Sequence, residues 1–188
     1  MAIKVANNQS LTAITALPAA VSGGAMTLLE TQPASSSSTI SFTSGIDSTY
    51  DEYVFKFIGI HPSTDGVDFT FQGSTNTGSS YGVTTTHTYF NAYHNEGDTG
   101  ASLGYEPVAD LAQSTGEIEL IREEKLSADS DHCGCGYLHL FDPGSTTFVK
   151  HFIAVISNNN EDSHAQVNYS GGYFNTTSAI DAIRFKVN

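Results

Sequence analysis

Basic side chains are scarce in this sequence. Seven Lys and Arg residues stand against 20 Asp and Glu residues, which gives a formal net charge of −13 and a pI near 4.6. Such a surface repels phosphate groups, so the sequence predicts no nucleic-acid partner and no binding to an anionic membrane. Half of the acidic residues lie between Asn91 and Asp131. That clustering is typical of a solvated face, with a divalent cation or a basic partner as the alternative.

Long apolar runs and a cysteine framework are also missing. No segment approaches the ~20 consecutive apolar residues that a transmembrane helix needs. The mildly apolar stretch Leu11–Val21 contains two threonines and Pro18, which is unlike a secretory signal. Cys133 and Cys135 are separated by one residue and form no disulfide framework. We therefore expect a product made in the cytoplasm that keeps its N-terminus and does not insert directly into a membrane.

Tryptophan is absent, and charged residues make up only 14% of the chain, against about 25% in typical globular domains. Ser, Thr, Asn and Gly take their place, while 11 Phe and 9 Tyr are available for a core. Thr, Phe and Tyr suit a pleated sheet, and Gly and Asn suit its turns. The composition favours a β-rich domain over a helical one.

The first 38 residues differ from the rest of the chain. They contain one Lys and one Glu, two prolines and a Ser35–Ser38 run, with neither strand alternation nor a helical period. Their apolar content is too high for an ordinary disordered tail. The sequence predicts an arm over residues 1–38 that orders against another chain, and folding back on its own domain is the alternative. The candidate assembly residues of this arm are Leu11, Ile14, Leu17, Val21, Leu28 and Leu29.

Period-2 alternation dominates from Thr39 to the end, so residues 39–188 are predicted to form the folded domain. Turn signals such as Asp65-Gly66 and Asp142-Pro143-Gly144 separate the alternating segments. Arg122–Leu126 is open between a helical turn and a loop, and no long helix is predicted. The fold class is all-β, an antiparallel β-sandwich or jelly roll with an extended N-terminal arm. The predicted strands are Ser41–Phe42, Asp51–Ile58, Val67–Phe71, Val83–Phe90, Glu117–Ile121, Tyr137–Phe141, Phe148–Ile156, Val167–Phe174 and Ile183–Val187.

Three of these strands carry more specific expectations. Asp51–Ile58 has apolar residues on both faces, which predicts a central strand. Gly171-Gly172 predicts a β-bulge or a close approach of two backbones. The last strand ends almost at the chain terminus, so its edge is expected to pair with a partner chain.

Asp131-His132-Cys133-Gly134-Cys135 is the segment with the most reactive side chains. Zinc sites usually combine two ligand pairs, each spaced by two to four residues, and here there is one pair. Free loop thiols are therefore predicted, with no metal and no cofactor. His87, His139 and His151 fall on predicted strands, where a histidine is usually packed or half-exposed.

Acidic and tyrosine side chains provide weaker candidates for chemistry. Glu117 and Glu119 point the same way on a strand, as the two carboxyls of a glycosidase can, but no nucleophile elbow is present and no enzymatic activity is predicted. Three oxygen-rich loops offer calcium ligands without EF-hand spacing: Asp65–Asp68, Asp129–Asp131 and Asn158–Asp162. The tyrosines that could stack on sugars, or alternatively lie in a core or interface, are Tyr89, Tyr93, Tyr105 and Tyr173.

Seven segments of the 39–188 region resemble a group of virion structural proteins of marine tailed bacteriophages, described as tail-fibre-like. The most specific is Ser-Thr-Thr-Phe-Val-Lys-His-Phe at residues 145–152. The others are Phe42–Tyr50, Ile60–Pro62, Tyr93–Glu96, Asp110–Thr115, His139–Pro143 and Gly172–Ile180. Proteins of this group continue beyond the position of Asn188 with another strand, which implies pairing with a neighbouring subunit.

The resemblance implies a non-enzymatic component of the virion, located in a fibre, a tail or the head decoration. Its arm would attach to other virion proteins, its β-domain would project, and copies would form a homo-oligomer, a trimer by analogy with phage fibres. The alternative is a receptor-recognition module that binds a host surface glycan. A glycan-cleaving enzyme built on Glu117 and Glu119 is the third class.

Overall fold

A computed structural model describes residues 26–160 and 162–188, without the side chains of residues 123 and 124. Contacts divide the chain into residues 1–33 and 34–188, and all strands of the described residues lie in the second unit. In the described residues there is no helix with the length and apolar character needed to cross a bilayer.

Eleven strands make up the described part of the chain, and no helix is present there. Apolar and polar residues alternate along most of these segments, and a strand places every second side chain on the same face, so each segment can bury its apolar set. The strands are β1 (Thr39–Phe42), β2 (Glu52–Ile60), β3 (Val67–Ser74), β4 (Thr85–Asn95), β5 (Ala101–Tyr105), β6 (Leu111–Ser114), β7 (Ile118–Leu126), β8 (Gly134–Phe141), β9 (Lys150–Asn159), β10 (His164–Phe174) and β11 (Ala182–Val187).

The strands form two antiparallel sheets that pack against each other. The smaller sheet has four strands in the order β1-β11-β3-β7. The larger sheet has seven strands in the order β2-β8-β9-β10-β4-β5, with β6 also paired to β4. The predicted all-β, antiparallel sandwich is therefore confirmed.

Phenylalanine fills the space between the two sheets. Phe185 of the smaller sheet lies 4.9 Å from Phe57 and 5.3 Å from Phe55 of the larger sheet, both in edge-to-face geometry. Phe71 meets Phe152 in the same way at 5.0 Å. Burying one such side chain contributes about 1.5–3 kcal/mol, so these rings replace the missing tryptophan as the main source of packing energy.

Beside this apolar core lies a buried network of amides and one phenol. Tyr89 is fully buried, and its hydroxyl donates to Asn168 Oδ1 at 2.5 Å. Asn168 Nδ2 donates to Asn158 Oδ1 at 2.7 Å, and Asn158 Nδ2 donates to Gln166 Oε1 at 3.4 Å. Because each buried polar group needs a partner, this network specifies the register of β4, β9 and β10.

All nine predicted strands are present, and two strands were missed. β5 and β6 are short, and most of their residues are exposed or half-buried, so they lack the hydrophobic alternation on which the prediction depended. The segment Arg122–Leu126, left open between helix and loop, is the end of strand β7. Its pairing with β3 jumps from Ile121 to Leu126, so the intervening residues bulge out of the ladder.

Two expectations about strand positions were wrong, and one was confirmed. β2 is an edge strand, because among the described strands it pairs with β8 alone, and its outward Ile58 is 85% exposed. β11 pairs with β1 on one side and β3 on the other, so its edges are occupied within the chain. Gly172 does mark a close approach, since a Cβ there would lie 2.3 Å from the Thr86 carbonyl oxygen, and the ladder is continuous without a bulge.

Candidate functional site

The assembly residues predicted in the arm are only partly described. Leu28 is 83% exposed and Leu29 is 51% exposed. The other four, Leu11, Ile14, Leu17 and Val21, lie outside the described residues. Two leucines of the arm therefore present apolar surface to solvent.

A row of large side chains crosses the outer face of the seven-stranded sheet, from one edge strand to the other. Tyr169 lies between the buried Asn168 and Ser170 of β10, so strand alternation points it away from the core. The antiparallel register places cross-strand partners of Tyr169 on the same face. In order from β5 to β2 the row is Tyr105, Phe90, Tyr169, Val155, Tyr137 and Lys56.

The members of this aromatic row are ordered against one another while remaining accessible. The rings of Phe90 and Tyr169 stack with centroids 4.8 Å apart and planes only 7° from parallel. Phe90 is 41% exposed, Tyr137 41% and Tyr105 59%. Offset-stacked rings lose little further freedom on binding, so this row is preorganised for contact with another surface.

Apolar residues extend the face on both sides of the aromatic row. Leu103, Ala92 and Val167 form one neighbouring row across β5, β4 and β10. On the other side, Ile153 of β9 and Val54 of β2 flank His139 of β8. Exposed apolar residues that form a contiguous patch, as these do, mark interaction surfaces.

Charge is nearly excluded from this outer face, although the chain carries a net charge of −13. Among the outward side chains of its described strands, full charges belong to Glu52 and Lys56 alone, both on the edge strand β2. Glu52 is hydrogen-bonded to Nδ1 of His139. The centre of the face is therefore uncharged.

The outer face of the four-stranded sheet is built differently. Glu117 accepts hydrogen bonds from Lys186 at 2.8 Å and Thr70 at 3.2 Å, and Glu119 accepts one from Arg122 at 2.9 Å. The Asp68 carboxylate lies 3.6 Å from the Lys125 ammonium. We call Asp68, Thr70, Glu117, Glu119, Arg122, Lys125 and Lys186 the charged cluster.

The two glutamates of the charged cluster have opposite pKa shifts. Burial raises the pKa of Glu119 to about 7, and the nearby Asp68 carboxylate adds to this rise against the opposing charge of Arg122. Burial also raises the pKa of Asp68, although Lys125 acts in the other direction. For Glu117, burial acts to raise the pKa, but the hydrogen bond and charge of Lys186 outweigh it and leave the pKa below its usual value.

Glu117 and Glu119, the two carboxyls considered for a glycan-cleaving enzyme, therefore both lie in the charged cluster. Asp68 Oδ1 and Glu119 Oε2 are buried with no hydrogen-bond partner among the described residues. Burial is the largest cause of both raised pKa values. The other oxygens of the cluster are engaged by Lys, Arg and Thr side chains, which gives the cluster a role in holding β3, β7 and β11 together.

A buried histidine–serine contact has the composition of a catalytic dyad but not its geometry. His87 Nε2 lies 2.7 Å from Ser170 Oγ, and Ser170 Oγ donates to the Glu119 carbonyl oxygen at 3.0 Å. Because the single serine proton is used there, His87 Nε2 must donate to Oγ and cannot accept that proton. Burial also lowers the pKa of His87 to about 4, despite the nearby Asp110, so the pair is structural.

The segment with the two thiols spans the start of β8. Cys133 precedes the strand and Cys135 lies within it, so Cys135 is not a loop residue as predicted, and both thiols are free and exposed. Cys135 Sγ accepts a hydrogen bond from the Gly59 amide at 3.2 Å. Within residues 26–160 and 162–188, no group of three or more His, Cys, Asp or Glu side chains is arranged to hold a metal.

Several oxygens of the three proposed calcium loops already serve as acceptors within the chain. Asp65 Oδ1 accepts from the Ser127 hydroxyl at 2.9 Å and from the Ala128 amide at 2.8 Å. Asn160 Oδ1 accepts from the amides of Asp162 and His164 at 3.1 and 3.0 Å. The Asn160 bonds close their own loop, as an Asx turn does, whereas the Asp65 bonds join its loop to residues 127 and 128.

The four candidate sugar-stacking tyrosines are in different environments. Tyr89 belongs to the buried network, so for this residue the core alternative is correct. Tyr93 stacks on His164 at 4.4 Å, and Tyr173 lies 5.6 Å from His151. Tyr105 alone of the four belongs to the exposed aromatic row.

The outer face was missed because no single strand reveals it. The sequence signal for this face is a strand with apolar residues on both sides. In β8, for example, Leu138 and Leu140 point into the core, and Tyr137 and Phe141 point outward. That pattern was interpreted for β2 as a central strand. The register between strands, which sequence does not contain, is what aligns these residues into one surface.

No family model, curated protein or solved structure matches this chain.

Proposed function

We propose that the chain is a non-enzymatic structural protein of a bacteriophage particle, a fibre, tail or head-decoration component. In this proposal the arm attaches to other virion proteins, and the β-domain projects and associates with further copies. The observation that carries the assembly role is the uncharged, apolar outer face of the seven-stranded sheet. Exposed faces of this kind mark association surfaces, and the phage context comes from the resemblance of seven segments to virion proteins.

A jelly-roll arrangement is part of this proposal. Without the hairpin β9–β10, the larger sheet has the order β2-β8-β4-β5 beside the smaller sheet β1-β11-β3-β7. Successive strands then alternate between the sheets from β1 to β4, as they do in the double Greek key of a jelly roll, a fold used by capsid proteins and lectins. The β9–β10 hairpin is the insertion, and it supplies Val155 and Tyr169 at the centre of the aromatic row.

The anchoring role of the arm is supported by its apolar composition and by the exposure of Leu28 and Leu29. Deleting residues 1–34 leaves all eleven strands, which begin at Thr39. We expect the shortened chain to keep its β circular dichroism and its cooperative melting but to be lost from purified particles. Mass spectrometry of separated heads and tails measures this incorporation and also locates the protein. Normal incorporation of the shortened chain would contradict anchoring by the arm.

Glycan recognition is the second candidate function. It is favoured by a cleft on the β-domain that no described residue of the arm lines. The cleft has a volume of about 340 Å³ and a lining rich in hydroxyl and amide groups, and binding sites for small ligands start at about 300 Å³. Its lining residues are Thr75, Ser80, Tyr81, Gly82, Val83, Thr84, Asn175 and Thr176.

A glycan array separates the two candidates. Selective binding that is lost in Asn175→Ala and retained in Tyr169→Ser would favour recognition through the cleft, because Asn175 lines it and Tyr169 lies on the outer face of the larger sheet. Absence of binding to every glycan favours the structural role.

A further inference from the structure

We propose that the outer face of the seven-stranded sheet binds the same face of a second copy of this chain, in a two-fold, face-to-face dimer. The inference rests on the proposed assembly function and names the surface that copies share. It begins from the aromatic row and its flanking apolar residues, several of whose large side chains are exposed among the described residues.

The size of the face matches a small but specific interface. Six strands about 4.8 Å apart, paired over about eight residues, present roughly 600 Å² of sheet surface. Two such faces bury about 1,200 Å² in total, which reaches the lower bound of specific protein interfaces. The face is therefore large enough for a dimer without a contribution from the arm.

Charge makes this face the part of the molecule that a second copy can contact with the least repulsion. Two chains of net charge −13 repel each other wherever their acidic surfaces meet. The strands of this face carry Glu52 and Lys56, which offset each other at the edge strand β2, and the Asp110 carboxylate adds one negative charge at the opposite edge, where it accepts a hydrogen bond from the Tyr105 hydroxyl. Contact between two such faces brings together the least repulsive regions of the two molecules.

The aromatic row can also pack against a second copy of itself that runs in the opposite direction. A two-fold axis that runs along the strands, between Val155 and Tyr169, places each row antiparallel to its copy. Val155 then faces Tyr169 of the second copy, Tyr137 faces Phe90, and Lys56 faces Tyr105, a cation–π pairing. Sheets that pack face to face cross at about 30°, so this correspondence is closest at the centre of the row. A two-fold contact yields an even number of copies, in place of the trimer suggested by analogy with fibres.

The test is sedimentation velocity of the full chain over a range of concentrations. We expect a monomer–dimer equilibrium between 20.0 kDa and twice that mass. Tyr169→Glu places a charge at the centre of the contact and should raise the dimer dissociation constant about 100-fold or more. Phe90→Ser is a second, smaller change that should act in the same direction. Phe148→Glu is the matched control, because Phe148 is 70% exposed but precedes β9 outside the face, and it should change the constant less than about 3-fold.

Cross-linking identifies the occupant directly. Val155 of the same chain is the cross-strand partner of Tyr169, so the experiment uses an equal mixture of isotope-labelled and unlabelled chains. A photoreactive phenylalanine at position 169 should then give cross-links between labelled and unlabelled peptides from β9 and β10, because the two-fold axis places Val155 of the second copy opposite Tyr169. Cross-links to residues 1–38 would mean that an arm covers the face and would overturn the proposal. A chain that stays monomeric, a trimer, or a dimer equally insensitive to Tyr169→Glu and Phe148→Glu would also overturn it, as would binding of a glycan that Tyr169→Glu abolishes.

Different experimental results would refute the face-to-face dimer and the virion function. Loss of the dimer with normal dependence of particle incorporation on the arm would refute the face-to-face contact alone. A dimer that behaves as expected, in a protein absent from purified virions, would refute the virion function and leave the contact standing.

Discussion

The outer faces of the two sheets have opposite chemistry. Four of the seven Lys and Arg residues of the chain lie on the face of the smaller sheet, where they pair with Asp68, Glu117, Glu119 and Gln72. The face of the larger sheet carries stacked aromatic rings and two full charges at its edge. Most charged groups of the smaller sheet's face are paired with one another, whereas the face of the larger sheet leaves its aromatic rings exposed.

This difference indicates how the sandwich divides its roles. Arg184 lies over the Tyr81 ring at 4.4 Å and donates to Gln72 Oε1 at 2.6 Å, and Gln72 Nε2 donates to the Thr115 carbonyl at 3.2 Å. Such contacts tie loops down onto the smaller sheet. Phe90 and Tyr137 are each 41% exposed, and no equivalent layer lies over them among residues 26–160 and 162–188, so substitutions on the two faces should affect different properties.

The largest expected effect comes from the core that both faces share. Phe185 contacts rings of both sheets, so Phe185→Ala should lower the free energy of unfolding by about 3–5 kcal/mol, through lost burial and the cavity that remains. Denaturant unfolding measures this loss. Phe148→Ala is the control, and its exposed ring should matter by less than about 0.5 kcal/mol. Equal effects of the two substitutions would contradict the assigned core.

The next effect is specific to the charged cluster and depends on pH. Burial raises the pKa of Glu119 from its usual 4.5 to about 7, so the folded chain binds more protons than the unfolded chain between these values. Its contribution to stability is therefore present at low pH and is lost as pH rises through about 7. Glu119→Gln removes this dependence and should raise stability at pH 8, relative to the wild type at the same pH, by about 1–3 kcal/mol after allowance for solvent screening.

Thermal unfolding of the wild type and Glu119→Gln at pH 5 and pH 8 provides the measurement. The gap between the two proteins should be wider at pH 8. Glu117→Gln is the matched comparison on the same face, because the pKa of Glu117 lies below its usual value and its loss should destabilise the folded chain. If Glu119→Gln were destabilising at both pH values, the ion pair with Arg122 would outweigh the burial of the carboxylate.

A smaller effect separates stability from association. Arg184→Ala removes a hydrogen bond and a cation–π contact from the smaller sheet and should lower the free energy of unfolding by about 1–2 kcal/mol. The dimer dissociation constant should be unchanged, because Arg184 lies on the opposite face from the aromatic row. Tyr169→Ser should do the reverse, with weak association and nearly unchanged stability. A shift of both properties by either variant would remove the distinction between the faces.

The smallest expected effect is that of salt. Raising the ionic strength from about 0.01 M to 0.15 M screens the mutual repulsion of two acidic chains and leaves apolar contacts intact. The dimer dissociation constant should therefore fall a few-fold across this range. A constant that rises with salt would show that ion pairs hold the copies together.

The prediction from sequence succeeded where one strand was sufficient to determine the answer. Alternation in Val67–Phe71 and Tyr137–Phe141 located two strands to within a few residues, since burial of one face requires period 2. It failed for β2, where two apolar sets indicated a central strand, although β2 lies at an edge with its second set exposed. It also failed for β5, whose exposed residues give no periodic signal.

The sequence by itself determined the all-β class, the scarcity of positive charge and the presence of more apolar side chains than one core requires. These properties depend on residue type and on local alternation, which a single chain displays directly. Only the tertiary structure decided that Tyr105, Phe90, Tyr169, Val155 and Tyr137 share one row, and that Glu119 lies beside Asp68. Those relations depend on long-range register between strands, which is set by the packing of the whole sandwich.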